Sequence, residues 1–154
     1  MPWWDIYFND LYLRMFETIL TPERTAQEVA GVMTMLDLRP DSRILDLCCG
    51  QGRHAFLFAQ EGFDVFGFDL SKTLLQVAKY KNSQTDNTFF VQADMRCLPA
   101  VDTFDLLLNL FTSFGYFESD SENKTVFEQF HQVLKSGGYY VFDYFHTFVI
   151  RKFL

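Results

Sequence analysis

Arg43–Ala55, RILDLCCGQGRHA, is the stretch on which the reading of this chain turns. Ile44, Leu45 and Leu47 form an apolar run that ends in small residues and then in Gly50-Gln51-Gly52. The pattern predicts a buried strand, a tight glycine turn and a helix opening at Arg53. Glycines in such a turn let a ligand approach backbone that a Cβ would shield, and the helix end beneath offers unpaired N–H groups. A nucleotide-type pocket follows. Gly50–Ala55 by itself also fits G-x-G-x-x-G/A, the dinucleotide fingerprint, with Asp69 at a plausible distance beyond it. Asp46 points elsewhere: a carboxylate four residues before Gly50 would repel a pyrophosphate and favour a cation.

Outward from that stretch, composition narrows the classes. The chain has 154 residues, 49% of them hydrophobic, which predicts one domain over 1–154 with an adequate core. The net charge of −7 and scattered basic residues, with only Lys79 and Lys81 close together, argue against a nucleic-acid footprint. The most apolar window, 104–116, is interrupted by Asp105, Asn109 and Gly115, so no membrane span is expected. MPWWDIYFND has no basic region ahead of an apolar segment, and a cytoplasmic location is expected. Cys48, Cys49 and Cys97 make neither a disulfide framework nor a zinc site, and they read as reduced thiols.

In chain order, Asp5–Leu20 reads as one amphipathic helix rich in aromatics, either docked on the domain or covering a ligand. Thr21-Pro22-Glu23 starts a second helix that Pro40 stops. After the glycine turn come a helix over 53–61 closed by Gly62, a strand Asp64–Asp69, a helix 72–81 capped by Ser71 and a strand Thr88–Gln92. Phe104–Leu110 predicts a central parallel strand. Asp120 or Ser121 is expected to cap a helix running to Lys135, ended by Gly137-Gly138, and Tyr139–Tyr144 to form strand five.

Asp46-Leu47-Cys48-Cys49-Gly50-Gln51-Gly52 resembles the first motif of the class I S-adenosylmethionine-dependent methyltransferases, an acidic residue followed by G-x-G-x-G, with Cys48 where that family more often has glycine. The cofactor carries an ammonium and a sulfonium, which suits Asp46. The resemblance implies a doubly wound, mostly parallel α/β sheet of about five strands (40–154), Rossmann-like, preceded by an N-terminal helical lid (1–39). It implies cofactor contacts from Asp46, Cys48, Gly50 and Gly52. Asp69, followed by Leu70, would hold the ribose hydroxyls, and Asp94 with Met95 the adenine. Asn109, Phe111 and Tyr116 would lie near the transferable methyl, and Tyr7, Tyr12 or Arg14 of the lid would reach the methionine carboxylate.

The resemblance covers Pro40–Tyr144, and the chain is expected to lack the hairpin that ends the family fold, His146–Leu154 being too short for it. Either a fragment or completion by a partner is expected, for instance a second copy pairing with the edge beyond strand five. The implied function is in-line methyl transfer from S-adenosylmethionine to a small-molecule acceptor, chemistry that needs alignment more than an acid/base pair. His146 and Tyr116 are nominal catalytic candidates, and no metal is expected. A cofactor-binding module without turnover and an NAD-dependent dehydrogenase are the rival readings.

Overall fold

Five short apolar runs, each followed by a helix or a loop, build one parallel sheet. A computed structural model describes residues Trp3–Tyr144. The strands are β1 (Arg43–Leu47), β2 (Asp64–Asp69), β3 (Thr88–Gln92), β4 (Phe104–Asn109) and β5 (Leu134–Phe142), in the order β3-β2-β1-β4-β5. The helices are α1 (Trp3–Tyr7), α2 (Asp10–Phe16), α3 (Pro22–Met35), α4 (Arg53–Gln60), α5 (Lys72–Lys81) and α6 (Asp120–Val133). This is the α/β fold expected from the sequence.

Alternation along the strands sends neighbours to opposite faces. Ile44, Val65, Leu106 and Leu108 pack with Val29 and Val32 of α3 and with Ala55, Phe58 and Ala59 of α4. Leu45, Leu47, Phe68 and Leu107 pack on the other face with Val126, Phe130 and Val133 of α6. Both faces are therefore covered, which is why β1 and β4 read as nearly continuous apolar runs. Because β1 pairs with β2 on one side and β4 on the other, the winding reverses there, and the gap between the carboxyl ends of β1 and β4 is where open α/β sheets accept ligands.

Two elements differ from the sequence reading. Asp5–Leu20 is two short helices, because Asn9 is extended (φ −136°, ψ −166°) and its Oδ1 accepts the Leu11 N–H at 2.7 Å, starting α2 afresh. Ser119, one residue earlier than expected, caps α6 by accepting the Glu122 N–H, and LKSGG belongs to β5. Gly137 takes φ 80° inside that strand, where the pairing with β4 shifts register between Phe104 and Leu106, so the glycines make an irregularity and do not end a helix. Residues 145–154, His146 included, lie outside the described residues.

Candidate functional site

A cavity of about 580 Å³ opens over the carboxyl ends of β1, β2, β3 and β4. It is lined by Cys48, Gly50, Asp69, Leu70, Asp94, Met95, Phe111, Tyr116 and Tyr7 among the predicted residues. Residues from four strand ends and from α1 thus meet in one crevice. Asp46, Gly52 and Asn109 do not line it.

The turn between β1 and α4 is tied to β2. Gly50, at φ 55°, donates its N–H to Asp69 Oδ2 at 2.8 Å, while Asp69 Oδ1 accepts the Ser71 N–H at 2.7 Å. Cys48 also lies in the left-handed region, at φ 58°, so the side chain that replaces glycine there keeps the path of the loop. Its Sγ faces the Met95 Sδ and the Ser113 carbonyl, each at 4.0 Å. Gly52 serves a different purpose from the one expected. At φ 73°, a Cβ there would come within 2.9 Å of the Phe90 ring and 3.1 Å of Ala78, so this glycine lets the turn pack down on α5 and β3.

Asp46 lies beneath the turn, only 2% exposed, with Oδ2 lacking a hydrogen-bond partner. Burial pushes its carboxyl up, opposed by the charges of His54 and Arg53 and by the Ala55 N–H. It does not line the crevice. Behind it, Glu28 of α3 accepts from Arg53, from His54 at 2.9 Å and from Arg24 at 2.9 Å. Burial works to raise Glu28, but these donors outweigh it and hold the carboxyl well below the usual range. The Arg24 and Arg53 guanidinium groups also sit 5.2 and 5.8 Å from the Phe111 ring centroid, so α3 and α4 together brace the crevice wall.

Asn109 is fully buried, donating to Leu47 O at 3.4 Å and Ser113 O at 3.2 Å. It joins the end of β1 to the 111–113 loop and does not itself line the crevice. Opposite the turn, α1 and α2 cover the crevice with rings. Trp3 meets Tyr116 edge-on at 5.3 Å, Trp4 meets Phe117 at 5.4 Å and Phe16 meets Phe111 at 5.7 Å.

Residues 44–138 match the family described as "Methyltransferase domain". The chain belongs to that family. Among its relatives, YqeM of Bacillus subtilis, named as a candidate methyltransferase, is 36% identical over 71% of this chain and 45% of its own length. Glycine N-methyltransferase of Rattus norvegicus is 26% identical over 92% of this chain and 50% of its own. The crystal structure of PH0226 from Pyrococcus horikoshii superposes with a TM-score of 0.70 at 31% identity, covering 85% of this chain and 64% of that one. The chain spans about half the length of the curated relatives it matches.

The family uses S-adenosylmethionine as methyl donor, and the crevice suits such a group in several respects. Gly50 has no Cβ to shield the turn, the Asp69 oxygens keep lone pairs beyond the two N–H groups they already accept, and Leu70 and Met95 supply apolar walls. Asp94 lines the crevice while its carboxylate is paired with Arg96, whose Nη2 lies 2.6 Å from Oδ2 and whose own N–H donates to Oδ1 at 2.9 Å. Burial works to raise Asp94, and Arg96 overcomes it. Arg96 also bonds Glu122 at 2.6 Å and lies 4.4 Å over the Phe117 ring, a brace that the sequence reading missed although Arg96 stands only two residues away. Burial pushes the Tyr12 phenol up to about 12 and the Tyr116 phenol higher still. Both stay protonated near neutrality, so Tyr116 can donate a hydrogen bond but is no general base there.

Proposed function

We propose that this domain binds S-adenosylmethionine in the crevice and transfers its methyl group to a small-molecule acceptor. The observation that carries the reading is the environment of Cys48 on the crevice floor. Cys48, Asp69 and Asp94 line the same crevice, and Asp46 lies buried beneath its turn, so the acidic residues of three neighbouring strands gather at one end of the sheet. A site with that field favours a cationic ligand over a pyrophosphate, even with Asp46 one layer down and Asp94 paired to Arg96.

When bound, the donor supplies a methyl on a positively charged sulfur, and transfer in line needs only approach and alignment. The chain's own residues then have binding work: Asp69 accepts from hydroxyl groups, Gly50 leaves room at the turn, and the rings of Tyr116, Phe111 and the cover exclude water. A cavity of about 580 Å³ is in the range of small-molecule sites, and its mouth is aromatic, which favours a small acceptor that is neutral or cationic.

Thermal shift tests the reading. S-adenosylmethionine and S-adenosylhomocysteine are expected to raise the melting temperature and NAD to leave it unchanged, whereas stabilisation by NAD alone would replace this reading with the dehydrogenase one. Binding without transfer to any amine, hydroxyl or carbon acceptor would favour a module without turnover. The edge of β5 is further proposed to pair with a second copy, and a monomer by light scattering at high concentration would refute that part.

A further inference from the structure

The break between α1 and α2 has a consequence on the opposite side of the crevice. In an unbroken helix the Phe8 carbonyl would accept from the Tyr12 N–H, but that N–H turns towards Asn9 Oδ1, at 3.4 Å. Ser71 supplies the missing donor, its hydroxyl lying 2.7 Å from Phe8 O. Among the described residues this is the one hydrogen bond between residues 3–20 and the α/β core. The same hydroxyl caps α5 by accepting the Leu74 N–H at 3.2 Å, and the Ser71 N–H donates to Asp69, which also holds Gly50. One side chain therefore touches the cover, the start of α5 and the carboxylate that ties down the glycine turn.

We propose that Ser71 is a positioning residue that latches the aromatic cover over the crevice and couples its seating to Asp69. The ring contacts of the cover prefer edge-on geometry but tolerate a range of ring separations, so by themselves they fix its position loosely. A single O–H···O=C bond at the helix break has a direction and fixes where the cover sits. Its anchor is the residue next but one to Asp69, so a ligand engaging Asp69 and a seated cover favour the same arrangement of Ser71. The ligand half of this proposal rests on the reading of the crevice as an S-adenosylmethionine site, and the latch itself does not.

The chain's two tryptophans, Trp3 and Trp4, are both in the cover, so their emission reports its seating. Three variants separate the roles of the hydroxyl. Ser71→Asp keeps a helix cap but loses the neutral donor, Ser71→Gly loses the donor at a cap cost of only a few tenths of a kcal/mol, and Ser71→Thr keeps both. Without ligand, acrylamide quenching is expected to show an open fraction about fivefold larger in the Asp and Gly variants, the weight of one neutral hydrogen bond, and unchanged in the Thr variant. Quenching equal to wild type in both Asp and Gly variants, or raised in the Asp variant alone, would overturn the latch. S-adenosylhomocysteine is then expected to bind the Asp and Gly variants about fivefold more weakly than wild type. Equal affinity in the Gly variant would overturn the coupling. Failure of the wild type to bind would instead sink the cofactor reading, with the ligand-free quenching still deciding the latch.

Discussion

The turn at 48–52 and the cover at 3–20 face each other across one crevice, yet they are held by different forces. The turn is fixed by directional bonds and by steric fit: Gly50 to Asp69, Gly52 against Phe90 and Ala78, Arg53 and His54 clamped by Glu28. The cover is held by half-exposed rings, Trp3 at 48% and Tyr7 at 42%, and by Ser71. A ligand site needs both, one wall whose geometry does not change and another that can admit and release the ligand. The contrast predicts brittleness on one side and tolerance on the other.

The largest effect is expected at Gly52→Ala. The new Cβ would meet Phe90 at 2.9 Å and hold a left-handed φ of 73°. A loss of about 3 kcal/mol follows from strain of about 1–2 and overpacking of about 1–3, measurable by urea denaturation. A variant as stable as wild type would show that the turn yields, and the contrast would fail.

Next comes Asp69→Asn, which puts an amide NH₂ against one of two N–H donors and is expected to weaken S-adenosylhomocysteine binding about tenfold or more in calorimetry. The wild type carries a linked pH dependence. Burial first, with the charge of Asp46 adding and the Ser71 and Gly50 N–H groups opposing, pushes Asp69 from an ordinary 3.8 to about 6. Because the folded value is the higher one, the stability this carboxyl contributes is full below pH 3.8 and is lost as pH rises through about 6. Binding through the carboxylate runs the other way, complete above about 6 and falling towards tenfold per unit below it. An affinity flat across that window would remove Asp69 from the site.

The smallest effect is expected at Trp3→Ala, about 1 kcal/mol or less in global stability because the ring is half exposed, together with easier quenching of Trp4. A loss matching that of Gly52→Ala would mean that the cover is part of the core.

What could be read from sequence follows the same division. The glycine turn, the Thr21 and Ser71 caps and the positions of β1, β2 and β3 depend on neighbours within a few residues, so spacing and residue type reveal them. The split at Asn9 was hidden because an unbroken aromatic periodicity outweighs one capping side chain, and LKSGG imitates a helix end while lying in a strand. Arg53 and Glu28 are 25 residues apart, and no local pattern announces their pairing.

The amino-acid sequence by itself determined the doubly wound sheet, the glycine turn and the acidic residues at three strand ends, since hydrophobic period and turn chemistry are short-range properties. Which of those residues look into the crevice was decided only by the tertiary structure. It turned Asp46 and Asn109 inward, gave Asp94 to Arg96 and left Asp69 holding the turn. The physical reason is that a polar side chain's direction is set by the partners that satisfy it once water is gone, and many of those partners come from distant parts of the chain.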